Sequence, residues 1–322
     1  MTLREMIRRQ GSIIDGDTQM EELFRLERFP IHMGVTALPF RQDVFQDMIY
    51  EINEGNGAVQ IGALIPEDEL YQEAHYNNIG KGWEEHHKAF ARFMAGYCPK
   101  SVFEIGGGRG LLSIEYSKLA DADWTILEAV PNPDPACNAH YISGFFSEEY
   151  VIPDTYDAIV HTHTLEHFYN PLRFMENIGR HAQEGTRMFF SIPNMGEMID
   201  RCYTNVMSFE HTFYCAEPYV TYICEKSGYK VEERVKFKED HSVFYVARRD
   251  RTAGAENNFF NKYAENKKKF LAWKKRQEEI VNKINVELEK LSADRRIYIF
   301  GAHVNTQYLL AFHLNIENVK GI

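Results

Sequence analysis

Cysteine is scarce in this sequence and nowhere closely paired. Its five cysteines are Cys98, Cys137, Cys202, Cys215 and Cys224, with no C-x-x-C spacing among them. Neither a zinc ribbon nor a disulfide framework is indicated, and reduced thiols in a cytoplasmic protein are the expectation. Long apolar runs are missing too: nothing approaches the ~18 consecutive apolar residues of a spanning helix. The basic start, MTLREMIRRQ, is followed by no apolar segment of the signal-peptide kind. A membrane is therefore not an expected partner. Positive charge is also in deficit, with 36 Lys and Arg against 47 Asp and Glu, a net charge of −11. Proteins that track nucleic-acid phosphates need a basic face, so nucleic acid is not an expected partner either. No internal repeat or low-complexity tract is present.

What is there is a globular composition, 44% apolar and 26% charged over 322 residues, with enough chain for about two domains. Residues 1–80 read as irregular. They carry turn signals at Gly11, Asp15-Gly16 and Glu54–Gly57, prolines at 30 and 39, and a helix expected from about Pro66 to Asn77. This stretch is expected to be a small appended subdomain or lid. From 81 to 250 the pattern becomes regular. Apolar runs at SVFEI (101–105), DWTILEA (123–129), HYISGFF (140–146), YDAIVHTHT (156–164) and MFFSIPN (188–194) alternate with helical stretches. A final YKVEERVKF–HSVFYVARR pair reads as a hairpin. Such alternation implies an α/β, doubly wound parallel sheet, and an antiparallel pair at its end is an ordinary variation.

A polar linker follows, and then a third segment, 259–322. It opens with a long helix to about Leu291, whose candidate buried positions are Phe270, Trp273, Ile280, Ile284, Leu288 and Leu291. Those positions form no strict heptad, so the helix could pack on its own chain or join two chains as a homodimer. A strand at RIYIF (296–300), a tight turn at Gly301-Ala302 and a helix over NTQYLLAFHL then read as the start of a second α/β unit.

The sharpest signal is Glu104-Ile105-Gly106-Gly107-Gly108-Arg109-Gly110, between an apolar strand and a helix. Glycines there let backbone approach a ligand closely. The dinucleotide pattern G-x-G-x-x-G would need glycine at 111, where Leu111 stands. That argues against NAD-dependent oxidoreduction. Glu128 ends the second strand, where a carboxylate can accept hydrogen bonds from both ribose hydroxyls of a nucleoside cofactor. Phe145 and Phe146, after the third strand, could cover a base or simply pack in the core. His161, His163 and His167 cluster at the end of the fourth strand. They lack the cysteine partners common in zinc sites, so no metal is expected and a place along a cofactor and substrate pocket is. Glu210-His211, beyond the fifth strand, is an acid–imidazole pair suited to general-base work, since histidine titrates near neutrality.

The spacing E-x-G-x-G-x-G resembles motif I of class I methyltransferases, and VHTHTLEHFYNPLRFMENI resembles the region after it. Together with Glu128, Glu210-His211, Phe29–Gly34 and Ile299–His303, these motifs make the chain similar to the sugar C-methyltransferase family. The resemblance implies a Rossmann-like seven-stranded sheet and S-adenosyl-L-methionine as cofactor. By that resemblance Glu104, Gly106, Gly107, Gly108, Gly110, Glu128, Phe145, Phe146, His161 and His163 would bind the cofactor. His211 would be the base, Glu210 its partner, His167 a further catalytic group and Tyr76 a substrate-contacting lid residue. The acceptor would be a small polar, carbohydrate-derived molecule, methylated on oxygen or carbon. Zinc-binding cysteines of that family's N-terminal subdomain are absent here, and only the beginning of its C-terminal domain is represented. A cofactor-binding scaffold without catalysis is the competing expectation.

Overall fold

The computed structural model describes residues 5–32, 43–70, 80–254, 261–301 and 304–321. The chain forms two compact units: residues 1–73, 195–214 and 260–322 make the first, and 74–194 with 215–259 the second.

The first unit opens with β1 (Ile7–Arg8), β2 (Met20–Pro30), β3 (Phe45–Asn53), β4 (Val59–Ile61), β5 (Ala63–Leu64) and the short α1 (Glu67–Leu70). Strands β2, β3 and β4 form an antiparallel sheet, and β1 pairs with β5. The sequence reads as irregular here because β2 is bulged twice, between Glu22 and Phe24 and between Leu26 and Phe29. Each bulge shifts the alternation of side chains between faces, so buried Phe24, Leu26 and Phe29 do not keep a period of two. The β3–β4 turn is closed by Asn53. Its Oδ1 accepts the N–H groups of Gly55 (2.9 Å) and Asn56 (2.8 Å), while its Nδ2 donates to the carbonyls of Asp17 and Gln19. Of the helix expected over 66–77, residues 67–70 are helical and 71–79 lie outside the described residues.

The second unit begins with α2 (Lys81–Ala95), β6 (Ser101–Ile105), α3 (Leu111–Ser117), β7 (Asp123–Glu128), β8 (His140–Ser143) and β9 (Ala158–Thr162). A 3-10 turn over Leu165–His167, α4 (Pro171–His181) and β10 (Arg187–Pro193) follow. After α5 (Met195–Asp200), which belongs to the first unit, come α6 (Glu217–Lys226), β11 (Tyr229–Phe237) and β12 (Ser242–Arg249). These strands make one seven-stranded sheet in the order β11-β12-β10-β9-β6-β7-β8. It is parallel from β10 to β8, while β12 runs antiparallel to both β10 and β11. This is the mixed α/β, Rossmann-like sheet that the strand–helix alternation predicts.

On one sheet face, Phe90 and Met94, one turn apart on α2, pack with Leu112 and Tyr116 of α3 on Val102, Trp124, Ile126, Val160, Phe189 and Phe244. Full burial of each such large apolar side chain stabilises by roughly 1.5–3 kcal/mol. The opposite face buries Phe174 and Ile178 of α4 and Val220 and Ile223 of α6. Helix α4 starts sharply because Asn170 accepts the Arg173 N–H at 3.2 Å and Pro171 takes the first helical position.

The chain then returns to the first unit through α7 (Tyr263–Ser292) and α8 (Val304–Ala311). One stripe of α7 is buried, namely Asn266, Phe270, Trp273, Gln277 and Val281, with the Trp273 indole donating to the Tyr203 carbonyl at 2.8 Å. Ile280 and Leu291, expected inside, are exposed, and Ile284 and Leu288, also expected inside, are half-buried. The strand expected over RIYIF does not form as a ladder. Among the described residues its pairing is a single bridge, Ile297 to Val319, and the Tyr298 and Phe300 side chains are exposed. Among the described residues no helix is long and apolar enough to cross a membrane.

Candidate cofactor site

The site grows from the carboxyl ends of β6 and β7, where open α/β sheets place their ligands. As β6 ends, the Gly106 N–H donates to the Leu127 carbonyl at 2.8 Å, which carries the turn across the tip of β7. Gly108 has φ +53°, and a Cβ there would meet nothing within 4 Å, so its face is open to a ligand. Gly110 differs. At φ +76° a Cβ would fall 2.4 Å from Cys137 Sγ and 2.8 Å from the Tyr141 hydroxyl. Only glycine fits there, for packing reasons as well as backbone ones. Gly107 is equally confined, since a Cβ would lie 2.8 Å from the Glu104 carboxyl carbon.

Two side chains fix this turn from below and beside. Glu128 accepts the Gly108 N–H at 2.8 Å, and the Tyr141 hydroxyl donates to the Gly108 carbonyl at 3.1 Å. Tyr141 on β8 was not singled out in the sequence, and only the β7–β8 register brings it under the turn. Glu104 is buried and accepts from the Trp124 indole at 2.8 Å. Burial, moderated by that hydrogen bond and reinforced by the nearby Glu128 charge, pushes its pKa up to about 7.

The aromatic pair divides. Phe145 is 68% exposed, while Phe146 is buried against Phe174 and Tyr150, at 5.2 and 5.4 Å between ring centres. His161 lies inside the layer, stacked on Phe190 at 5.0 Å with Phe174 edge-on at 5.3 Å, and burial lowers its pKa to about 3. His163 adopts a left-handed φ of +48°. Its backbone N–H is held by the Ser191 carbonyl at 2.8 Å, its Nε2 lies 2.7 Å from Ser242 Oγ and its Nδ1 lies 3.4 Å from Glu166. Thr164, next along, has its hydroxyl beside Gly106, which joins the β9 end to the glycine turn. His167 closes the 3-10 turn through its N–H to the Thr164 carbonyl at 3.1 Å.

Glu210 and His211 belong to the first unit. There Ser208 Oγ accepts both their N–H groups at 3.2 Å, forming a tight turn in which Glu210 is buried and His211 Nδ1 lies 3.4 Å from the Val206 carbonyl. Tyr50 and Tyr308 both donate to the adjacent Met207 carbonyl. Tyr76 lies outside the described residues.

A parallel α/β sheet whose first strand ends in an open glycine turn, with an acid at the tip of the second, is an arrangement that can hold a nucleoside cofactor. The open face of Gly108 and the Glu128 carboxylate beside it fit S-adenosylmethionine, with the turn backbone and Glu128 as the groups that would hold it. Residues 84–234 match the family model described as a methyltransferase domain. That span, just under half of the chain, is similar to methyltransferase domains, for which S-adenosyl-L-methionine is the cofactor. Solved structures similar to the chain include the N-methyltransferase NodS from Bradyrhizobium japonicum WM9, at 14% identity and a TM-score of 0.38, covering 52% of this chain and 97% of that one. An O-methyltransferase family protein from Burkholderia thailandensis matches at 8% identity and 0.42, over 54% and 57% of the two chains. Magnesium protoporphyrin IX methyltransferase from Synechocystis PCC 6803 matches at 14% and 0.41, over 55% and 89%. No curated protein sequence matches the chain.

Proposed function

We propose that this protein transfers the methyl group of S-adenosylmethionine to a small, polar, carbohydrate-derived acceptor, a sugar or sugar nucleotide, with His211 as general base. The observation that supports it most is the open glycine turn at Gly108, braced by Glu128. When bound, the cofactor supplies a methyl group on a positively charged sulfur. Gly106, Gly107, Gly108, Gly110 and Glu128 orient it, Phe145 covers its base, and Glu104, Phe146, His161 and His163 support that shell from behind. His211 removes the acceptor's proton, Glu210 holds the imidazole, and His167 and Tyr76 orient the acceptor. Positioning of the acceptor for in-line displacement and proton removal are the protein's main contributions. Methylation of oxygen is favoured over carbon, since the zinc-binding cysteines of the sugar C-methyltransferases are missing. The absence of a paired-cysteine framework supports action in the cytoplasm.

Calorimetry with S-adenosylmethionine and S-adenosylhomocysteine on the wild type and Glu128→Ala tests the cofactor half. A screen of sugar nucleotides with the wild type and His211→Ala tests the other. Turnover that survives in His211→Ala would exclude the assigned base, and cofactor binding with no turnover on any sugar would favour the scaffold.

A further inference from the structure

One array of side chains, of which His163 alone has been given a place at the site, is arranged in a line. At the carboxyl edge of the second unit's sheet, four groups stand in series. Glu166 Oε1 lies 3.4 Å from His163 Nδ1, His163 Nε2 lies 2.7 Å from Ser242 Oγ, and Ser242 Oγ lies 2.6 Å from His241 Nδ1. Glu166 and Ser242 are fully buried. His241 is half-buried, and its Nε2 would lie 3.9 Å from a Cβ placed on Gly82, itself half-buried near the start of α2. The series therefore begins in the interior at Glu166, two residues beyond the Thr164 that lies beside Gly106, and ends at the half-buried His241.

We propose that Glu166, His163, Ser242 and His241 form a proton path from the cofactor edge of the sheet to solvent. Each step balances. A proton on the Glu166 carboxyl passes to His163 Nδ1 as the O–H bond breaks. The His163 Nε2–H passes to Ser242 Oγ, the serine's own proton passes to His241 Nδ1, and His241 releases its Nε2–H to water. Imidazole suits both histidine positions because it takes a proton at one nitrogen while releasing one at the other. The role of the path, carrying to water a proton that methylation has released into the site, rests on the methyl-transfer reading; the path itself does not.

The surroundings favour conduction over storage of charge. Trp83 packs edge-on against His163 and His241 at 4.7 and 4.9 Å, and Phe237 lies 5.2 Å from His241, which walls the series from bulk water. His86 of α2 faces both histidines at 5.4 Å and hydrogen-bonds Ser191, and burial holds it neutral, so it places no competing cation there. Burial also lowers the basicity of His87. Lys238 and Asp240 act on His241 with opposite signs, and Cys215 beside Glu166 is held as the neutral thiol by its burial.

The test follows exchange of the His163 ring N–H with water by NMR of nitrogen-15 histidine-labelled protein. Wild type, Ser242→Ala, Ser242→Thr and His241→Gln are compared, with backbone amide spectra reporting the fold. Ser242→Ala and His241→Gln should slow exchange by roughly a hundredfold, the lower end of what a positioned proton-transfer group contributes, and Ser242→Thr should restore it. His241→Gln changes only the half-buried end, so it remains informative if Ser242→Ala fails to fold. Exchange unchanged in His241→Gln would overturn the path and leave a structural network. Calorimetry with S-adenosylmethionine on the same proteins separates the two readings. Wild-type protein that conducts but does not bind the cofactor would sink the methyl-transfer role, while binding with unchanged exchange would sink the path alone.

Discussion

Glu104 makes the site's electrostatics measurable without knowledge of the acceptor. Its carboxyl group lies beneath the glycine turn at 1% exposure, with the Trp124 indole donating to it. Removal from water disfavours the charged form and raises the pKa from 4.5 to about 7. By linkage, that displacement corresponds to about 3 kcal/mol of stability. The raised value fixes the sign: the contribution is fully present below about pH 4.5 and is lost as the pH rises through 7. Glu104→Gln keeps the shape and the acceptor for Trp124 but cannot ionise. Urea unfolding of both proteins at several pH values, extrapolated linearly, isolates this one group, because all other titrations cancel in the difference. The two proteins should be of similar stability near pH 4.5, and the variant should gain on the wild type by about 3 kcal/mol by pH 9. A difference that stays flat across that range would show that Glu104 is solvated or paired in the folded protein, and the buried-acid description of the site would fall.

Other outcomes follow from the same geometry. Gly110→Ala should destabilise by roughly 2–4 kcal/mol in thermal or urea unfolding, since a Cβ meets Cys137 and Tyr141 at a left-handed position. Gly108→Ala should cost only about 1 kcal/mol, the backbone term alone, yet weaken S-adenosylmethionine binding strongly in calorimetry, because the open face of the turn is filled. Glu128→Ala should lose at least roughly tenfold in cofactor affinity, the worth of one hydrogen bond to a charged group. His161→Phe should stabilise by about 1 kcal/mol, as a buried imidazole with no hydrogen-bond partner becomes an apolar ring. It should also remove an acid sensitivity, since His161's lowered pKa gives stability present above pH 6.5 and lost as the pH falls toward 3.

The parts of the fold legible in the sequence are those in which one local rule dominates. The five strands from Ser101 to Pro193 and helices α3, α4 and α6 stand where apolar runs and helical spacing place them, because a parallel sheet covered on both faces needs nearly unbroken apolar strands. Gly106–Gly110 and Glu128 were visible because a turn at a strand end needs particular residue types. The strands of the first unit were not, since the bulges in β2 erase the alternation that marks a strand. RIYIF failed as a strand because composition cannot supply a neighbour to pair with. Within the site, Tyr141, Ser242 and His241 were invisible for one shared reason. The partners of Tyr141 and Ser242 are 33 and 79 residues away and are set by strand register, which no spacing rule records, and His241 joins the site only through the neighbouring Ser242.

Backbone strain separates what the site needs from what the fold needs. Gly106, Gly108 and Gly110 adopt left-handed conformations at little cost, because glycine has no Cβ to object. His163 adopts one as well, and for a bulky side chain that costs of order 1–3 kcal/mol. A residue chosen only to turn the chain after β9 would be glycine or asparagine. The strain at His163 is offset locally: the Ser191 carbonyl accepts its N–H at 2.8 Å and Ser242 Oγ lies 2.7 Å from its Nε2, with Glu166 3.4 Å from its Nδ1. The Ser191 contact is made by the backbone, and the Ser242 and Glu166 contacts by the imidazole. The ring lies between the buried Glu166 carboxyl at 3.4 Å and the buried Ser242 hydroxyl at 2.7 Å, the placement the proton path requires, while Trp83 and His86 pack edge-on against it.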